Sequence, residues 1–181
     1  MGLDMYLSKK TYVQNWSHMK PEELHEVTVK KGGNLVGEIK PERISNIEES
    51  VAYWRKANHI HQWFVENCQD GEDNCRQYYV SREQLKELVE TCKKVKKSLK
   101  KSPKGKKNVE VGWKGGEKMY EQITVAIDTS VADELLPPQP GFFFGGTEYD
   151  DYYIQCLDDT IKQIEPLLKE ENGEFYYQSS W

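Results

Sequence analysis

Along the chain, apolar and polar positions alternate first with a period of two. Leu3, Met5 and Leu7 stand against Asp4 and Tyr6, with the β-formers Tyr12 and Val13 following. The pattern predicts a strand with one buried face. Val27-Thr28-Val29 and Leu35-Val36-Gly37, separated by Gly32-Gly33-Asn34, predict a hairpin. The period then changes. Ser45-Asn46-Ile47-Glu48 has the form of a capping box, and a helical pattern runs from it to about Cys68, with Gly71 as its stop. On that helix Ile47, Val51, Trp54, Asn58, His61 and Val65 share a face at spacings of three and four, with Tyr53, Ala57, Ile60 and Phe64 in the adjacent stripe. A second capping box, Ser81-Arg82-Glu83-Gln84, opens an amphipathic helix through Leu85, Leu88, Val89, Cys92, Val95 and Leu99.

Residues 108–128 predict a second hairpin around Gly112-Trp113-Lys114-Gly115-Gly116, read as an insertion between helices within 100–130. A short helix near Val131–Leu136 stops at Pro137-Pro138. Thr147-Glu148-Tyr149-Asp150 then caps a third main helix that turns Tyr153, Ile154, Leu157, Ile161, Ile164 and Leu168 to the core. Phe175-Tyr176-Tyr177-Gln178 reads as a closing strand. Strands and helices are interspersed without regular βαβ alternation, so the expected class is α+β: one domain, residues 1–181, with a small antiparallel sheet against three main helices and an inserted β-hairpin.

Composition sharpens this picture. Only 37% of the 181 residues are hydrophobic, but 12% are aromatic. Disordered chains are poor in aromatics, so a ring-rich core is expected. No apolar run approaches the ~18 residues of a membrane helix, and the first seven residues hold no signal-type h-region. A cytoplasmic protein without a membrane partner is expected. Cys68, Cys75, Cys92 and Cys156 form no C-x-x-C pair and read as reduced thiols, although Cys68 and Cys75 bracket a loop that oxidation would bridge. The net charge of −5 is uneven: nine lysines and no acid fall in 93–107, and eleven acids fall in 133–174. The lysine run lacks arginine and interleaved aromatics, and it reads as a solvated helix end and loop rather than a nucleic-acid site.

Two places hold candidate chemistry. The first is Trp54, Arg55, Asn58 and His61, where two polar side chains interrupt an apolar face. Each needs a partner, either a core network or a ligand. The second runs from Phe143 and Phe144 through Gly145, Gly146 and Thr147 to Tyr149. A glycine turn, a helix N-terminus and flat rings are the parts a nucleotide-like ligand uses. The alternative is a tight turn with its phenylalanines in the core. There is no P-loop, G-x-G-x-x-G, nucleophile signature or metal-ligand spacing, and no cofactor is expected. Glu148, Asp150, Asp151, Asp158 and Asp159 read as a solvated acidic face.

The opening Met1-Gly2-Leu3-Asp4-Met5-Tyr6-Leu7 is joined by Tyr53-Trp54-Arg55-Lys56-Ala57-Asn58, Gly141-Phe142-Phe143-Phe144-Gly145 and the ending Tyr176-Tyr177-Gln178-Ser179-Ser180-Trp181. Together they resemble a family of small phage and prophage proteins, over most of the chain except roughly 14–40 and 100–130. A phage accessory protein without catalytic signature is similar in kind to the anti-defence sponges that sequester nucleotide immune signals of Thoeris or CBASS systems. That likeness implies a homo-oligomer in a bacterial cytoplasm. It favours a non-enzymatic binder: Arg55 and the 145–147 backbone take phosphate, Trp54, Phe143, Phe144 or Tyr149 stack the base, and Asn58 and His61 read polar edges. Two alternatives stay open. One is a nucleotide-processing enzyme with His61 as general base and Asp150 or Asp151 on a metal. The other is an inhibitor that docks on a host protein.

Overall fold

A computed structural model describes residues 2–141 and 144–181, so Phe142 and Phe143 lie outside the described residues. The elements are β1 (Asp4–Tyr12), β2 (Lys30–Lys31), β3 (Asn34–Leu35), β4 (Asn46–Arg55), α1 (Asn58–Cys68), β5 (Tyr78–Val80), α2 (Arg82–Lys101), β6 (Lys104–Lys114), β7 (Glu117–Ala126), α3 (Ser130–Leu135), α4 (Asp151–Leu167) and β8 (Glu174–Ser180). Four strands form one antiparallel sheet in the order β4-β1-β8-β5. The class is α+β, with three main helices and two separate hairpins.

β1 is the strand with one buried face that the alternating pattern predicts, and it lies inside the sheet. Leu3, Met5 and Leu7 are fully buried, while Tyr6 and Tyr12 stand on the open face. Tyr6 there meets its cross-strand partner Tyr53 at 5.4 Å between ring centroids. The helices cover the other face. α2 begins at the expected capping box, with Ser81 Oγ accepting from the Gln84 amide at 3.1 Å and Gln84 Oε1 accepting from the Ser81 amide at 2.8 Å. Its apolar stripe, Leu85 to Leu99, is buried in full. Each such side chain contributes about 1.5–3 kcal/mol. On α4, Tyr153, Leu157 and Ile164 are buried. The sheet is tied to α4 by Trp54, whose indole donates to Thr160 Oγ1 at 2.9 Å.

The long helix expected from Ser45 to Cys68 is two elements. Residues 46–55 form strand β4, paired with β1, and only Asn58–Cys68 is helical. The spacing of Ile47, Val51 and Trp54 imitates a helical stripe. Residues 52–55, however, alternate buried and exposed in the strand manner. Ser45 caps nothing, and its carbonyl accepts from the Val13 amide at 2.9 Å. The first hairpin is also shorter than expected. Lys30–Lys31 pairs with Asn34–Leu35, and one further bond joins the Val36 amide to the Val29 carbonyl at 3.1 Å. The second hairpin forms as expected, with Gly115-Gly116 at its turn, and it ends at Ala126, whose amide reaches the Tyr149 carbonyl at 3.0 Å. Among the described residues no helix is long and apolar enough to cross a membrane.

Candidate functional site

The chain turns sharply between β4 and α1. Lys56 takes φ of +55°, an uncommon conformation for a residue with a Cβ. Its amide is held by the Leu3 carbonyl at 2.7 Å. Gly145, at φ +91°, packs onto this turn. A Cβ there would lie 3.0 Å from the Lys56 Cβ and 3.3 Å from its carbonyl oxygen, so the close approach and the backbone angle both call for glycine.

Asn58, in the first turn of α1, holds the glycine segment in place. Its Nδ2 donates to the carbonyls of Phe144 (3.0 Å) and Gly146 (2.8 Å), and its Oδ1 accepts from the Gln139 amide at 3.0 Å. The buried amide thus spends its hydrogen-bonding capacity on the loop. α4 is capped by Asp150, which accepts from the Tyr153 amide at 2.9 Å, rather than by the exposed Thr147. The Tyr152 hydroxyl donates to the Arg55 carbonyl.

These elements enclose a cleft of about 290 Å³ lined by Lys56, Asn58, His59, Gly145, Gly146, Glu148, Asp150, Tyr152 and Tyr153. The beginnings of α1 and α4 both border it. His59 is 3% exposed and stacks on Tyr153 with centroids 4.0 Å apart and planes 29° apart. Its Nε2 is buried without a hydrogen-bond partner among the described residues. Burial pushes the imidazole pKa down to about 3, so the ring is neutral at pH 7. Glu148 faces the Lys107 ammonium at 2.8 Å. Lys56 meets no carboxylate among the described residues.

His61 lies on another side of the same helix and belongs to a closed network. It is fully buried, with Nδ1 2.7 Å from the Tyr177 hydroxyl and Nε2 3.1 Å from Asp73 Oδ1. The Trp181 indole donates to the same Asp73 oxygen at 3.1 Å, and Phe144 sits edge-on to the His61 ring. Desolvation lowers the His61 pKa, and the Asp73 carboxylate partly counteracts it.

Of the residues marked in the sequence, Asn58, Gly145 and Gly146 meet at the cleft. Trp54 is sealed in the core on Thr160. Arg55 is not among the lining residues, and its guanidinium lies 3.6 Å from Asp4. Phe144 packs towards His61 and Trp181. Tyr149 donates to Asp133 at 2.5 Å and packs on Tyr153 at 4.9 Å, and its hydroxyl pKa is raised by burial and that carboxylate. Phe143 lies outside the described residues. The lining residues that sequence reasoning left out of the site are Lys56, His59, Glu148, Tyr152 and Tyr153, while Asp150 entered only as a metal holder in the enzyme alternative. Adjacency in sequence to Arg55 and Asn58 was the one available pointer to Lys56 and His59. No group of three metal-ligating side chains converges among the described residues. The cysteines are unpaired, with the Cys68 and Cys156 thiols pushed up to about 12 by burial.

No family model matches the chain, and neither a curated protein nor a solved structure matches it.

Proposed function

We propose that this protein binds a small nucleotide-like ligand in the cleft between the Lys56 turn, the Gly145-Gly146 segment and the start of α4, and holds it without chemistry. The reading rests on one observation: the cleft is lined by Lys56, which meets no carboxylate among the described residues, by two helix beginnings, by two tyrosines and by a glycine wall. Lys56 and the helix N-termini favour an anionic group, while the half-exposed Tyr152 ring offers a face for a base. The Glu148 and Asp150 carboxylates accept from sugar hydroxyls or an exocyclic amine. At about 290 Å³ the cleft is at the lower end of ligand pockets, roughly 300–1,000 Å³. It therefore suits a mononucleotide-sized group, and a dinucleotide would lie partly outside. In a phage setting such a protein would act as a sponge for an immune nucleotide signal, as a homo-oligomer in the host cytoplasm. His61 does not line this cleft, and both its nitrogens are engaged.

The test is thermal shift against nucleosides, nucleotides, ADP-ribose derivatives and cyclic dinucleotides, with mass spectrometry of the recovered ligand. Saturation at 100 times the dissociation constant adds about 2.7 kcal/mol, a shift of several degrees at this size. An intact ligand is expected. Recovery of a converted product would place the protein among enzymes, and no shift across the panel would overturn the proposal.

A further inference from the structure

The helices pack on one face of the four-stranded sheet and leave the other face bare. Its middle is aromatic: Tyr6, Tyr53 and Tyr79 are 42%, 45% and 56% exposed. Tyr6 lies 5.4 Å from Tyr53, and Tyr79 lies 5.9 Å from Tyr176, between ring centroids. Charges stand at the two ends of the strands. Arg55 is 3.6 Å from Asp4 at one end, and Lys10 is 3.9 Å from Glu48 at the other. Rings in the middle with charges at the rim are the anatomy of a protein interface. The face does not suit nucleic acid. Its two cations are opposed by Asp4, Glu48 and Glu174, whereas a phosphate backbone calls for an excess of positive charge.

We propose that this face packs on the same face of a second copy, about a two-fold axis that crosses the strands at the level of Leu7. The strands of the two copies then run antiparallel, β1 over β1 and β4 over β4, as in aligned sheet packing. The pairing within one sheet fixes which residues meet. Tyr6 and Ser8 flank Leu7, and their partners on β4 are Tyr53 and Ser50. Tyr6 therefore lies over the second copy's Ser8, and Tyr53 over its Ser50, so large rings fill the space above small side chains. Asp4 and Lys10 lie three residues either side of Leu7, paired with Arg55 and Glu48. Asp4 thus faces the second copy's Lys10, and Arg55 faces its Glu48. Each contact occurs twice, as a two-fold axis requires. At ~4.8 Å between strands and ~3.3 Å per residue, three strands paired over seven residues and the short β5 present about 400 Å² of flat face. That is small for a specific interface, so the dimer dissociates on dilution. The inference rests on the homo-oligomer of the reading above and names its surface. None of these residues lines the cleft, so ligand binding and dimerisation fail separately.

The test is sedimentation equilibrium of the intact protein without ligand, from about 1 to 100 μM. A dimer that dissociates towards the lower end is expected, and it should weaken with added salt. Arg55→Glu and Glu48→Arg each place like charges across both end contacts. Each variant alone should self-associate at least about tenfold more weakly than the parent. Mixed in equal amounts, the two should recover the parent's association, because one chain then carries acids at both positions and the other arginines. Both side chains are half-exposed, so the variants should keep the parent's melting temperature in dilute solution. A parent that stays monomeric throughout would overturn the proposal, and binding of a single-stranded oligonucleotide by that monomer would assign the face to nucleic acid instead. Variants that associate as the parent does would place the dimer on another surface. A mixture that stays monomeric would overturn the two-fold register.

Discussion

Two histidines, two residues apart on α1, are treated oppositely by the fold. His61 is sealed with both nitrogens engaged, by Tyr177 and Asp73, and it joins α1 to the last strand and to the loop that carries Asp73. His59 is nearly as buried, but it stacks on Tyr153 with Nε2 unpaired beside a cleft. Burial alone therefore does not say whether a histidine's nitrogens are engaged. A satisfied buried group ties elements of the fold together, whereas an unsatisfied one is a cost to the fold.

Substitution of the two residues should give opposite outcomes. The largest effect is expected for His61→Ala, which opens a cavity and leaves the buried Tyr177 hydroxyl without its partner. About 3–5 kcal/mol should be lost, which lowers Tm by roughly 10 °C at this size. Denaturant unfolding monitored by tryptophan fluorescence would measure it. A loss below about 1 kcal/mol would mean the network is dispensable, and the contrast with His59 would fail.

Acid should sharpen the same contrast. The folded-state pKa of His59 is about 3, against about 6.5 in the unfolded chain. The unfolded state therefore takes up the proton first. Above pH 6.5 no protonation penalty from His59 falls on the fold, and the penalty grows as pH falls from there towards 3. The slope for one group is about 1.4 kcal/mol per pH unit, so about 2 kcal/mol is lost by pH 5. His61 shifts in the same direction, moderated by Asp73. Urea unfolding at pH 7 and pH 5 should show the loss, and His59→Phe should remove the part that belongs to His59. An identical pH dependence in the variant would show that His59 is not held neutral.

Next in size is the loop. Asn58→Ala deletes three hydrogen bonds and leaves the Phe144 and Gly146 carbonyls and the Gln139 amide without that partner. A cost of about 1–3 kcal/mol is expected, with faster hydrogen exchange at Gln139 and weaker ligand binding because the glycine wall is no longer fixed. Unchanged exchange would place the support of the loop elsewhere.

Sequence reading was most successful where one periodicity ran without interruption. β1, α2 with its capping box, the second hairpin and the α4 stripe were all legible because local propensity and burial pointed the same way. It failed at residues 45–57, where Ile47, Val51, Trp54 and Asn58 keep a spacing of three and four across a strand-to-helix boundary. What resolves that segment is nine residues of pairing with β1, a tertiary fact invisible to a window along the chain. The site was half legible for the same reason. Asn58 and the glycines stand out as polar and flexible exceptions in an apolar pattern. Lys56 and His59 enter the cleft because of a left-handed turn at Lys56, and a lysine gives no sign of adopting φ +55°. Asp150 was expected in the capping segment and on an acidic face, or on a metal in the enzyme alternative, and its place is that of the α4 cap.

The smallest effect tests that turn most finely. Arg55 and Lys56 are neighbours, one on the open face of the sheet and the other in the cleft. The Arg55 side chain is 55% exposed, and its pairing with Asp4 at 3.6 Å is of the surface kind worth about 0–1 kcal/mol. Arg55→Ala is therefore expected to leave Tm within about 2 °C and ligand affinity unchanged. Lys56→Ala is expected to change Tm equally little, since it keeps the strained φ, yet to weaken binding of an anionic ligand at least tenfold. The turn makes the two cations separable by one residue. If Arg55→Ala lost binding and Lys56→Ala did not, the anion would sit over the outer face of the sheet beside Tyr53, and the cleft would not be its site.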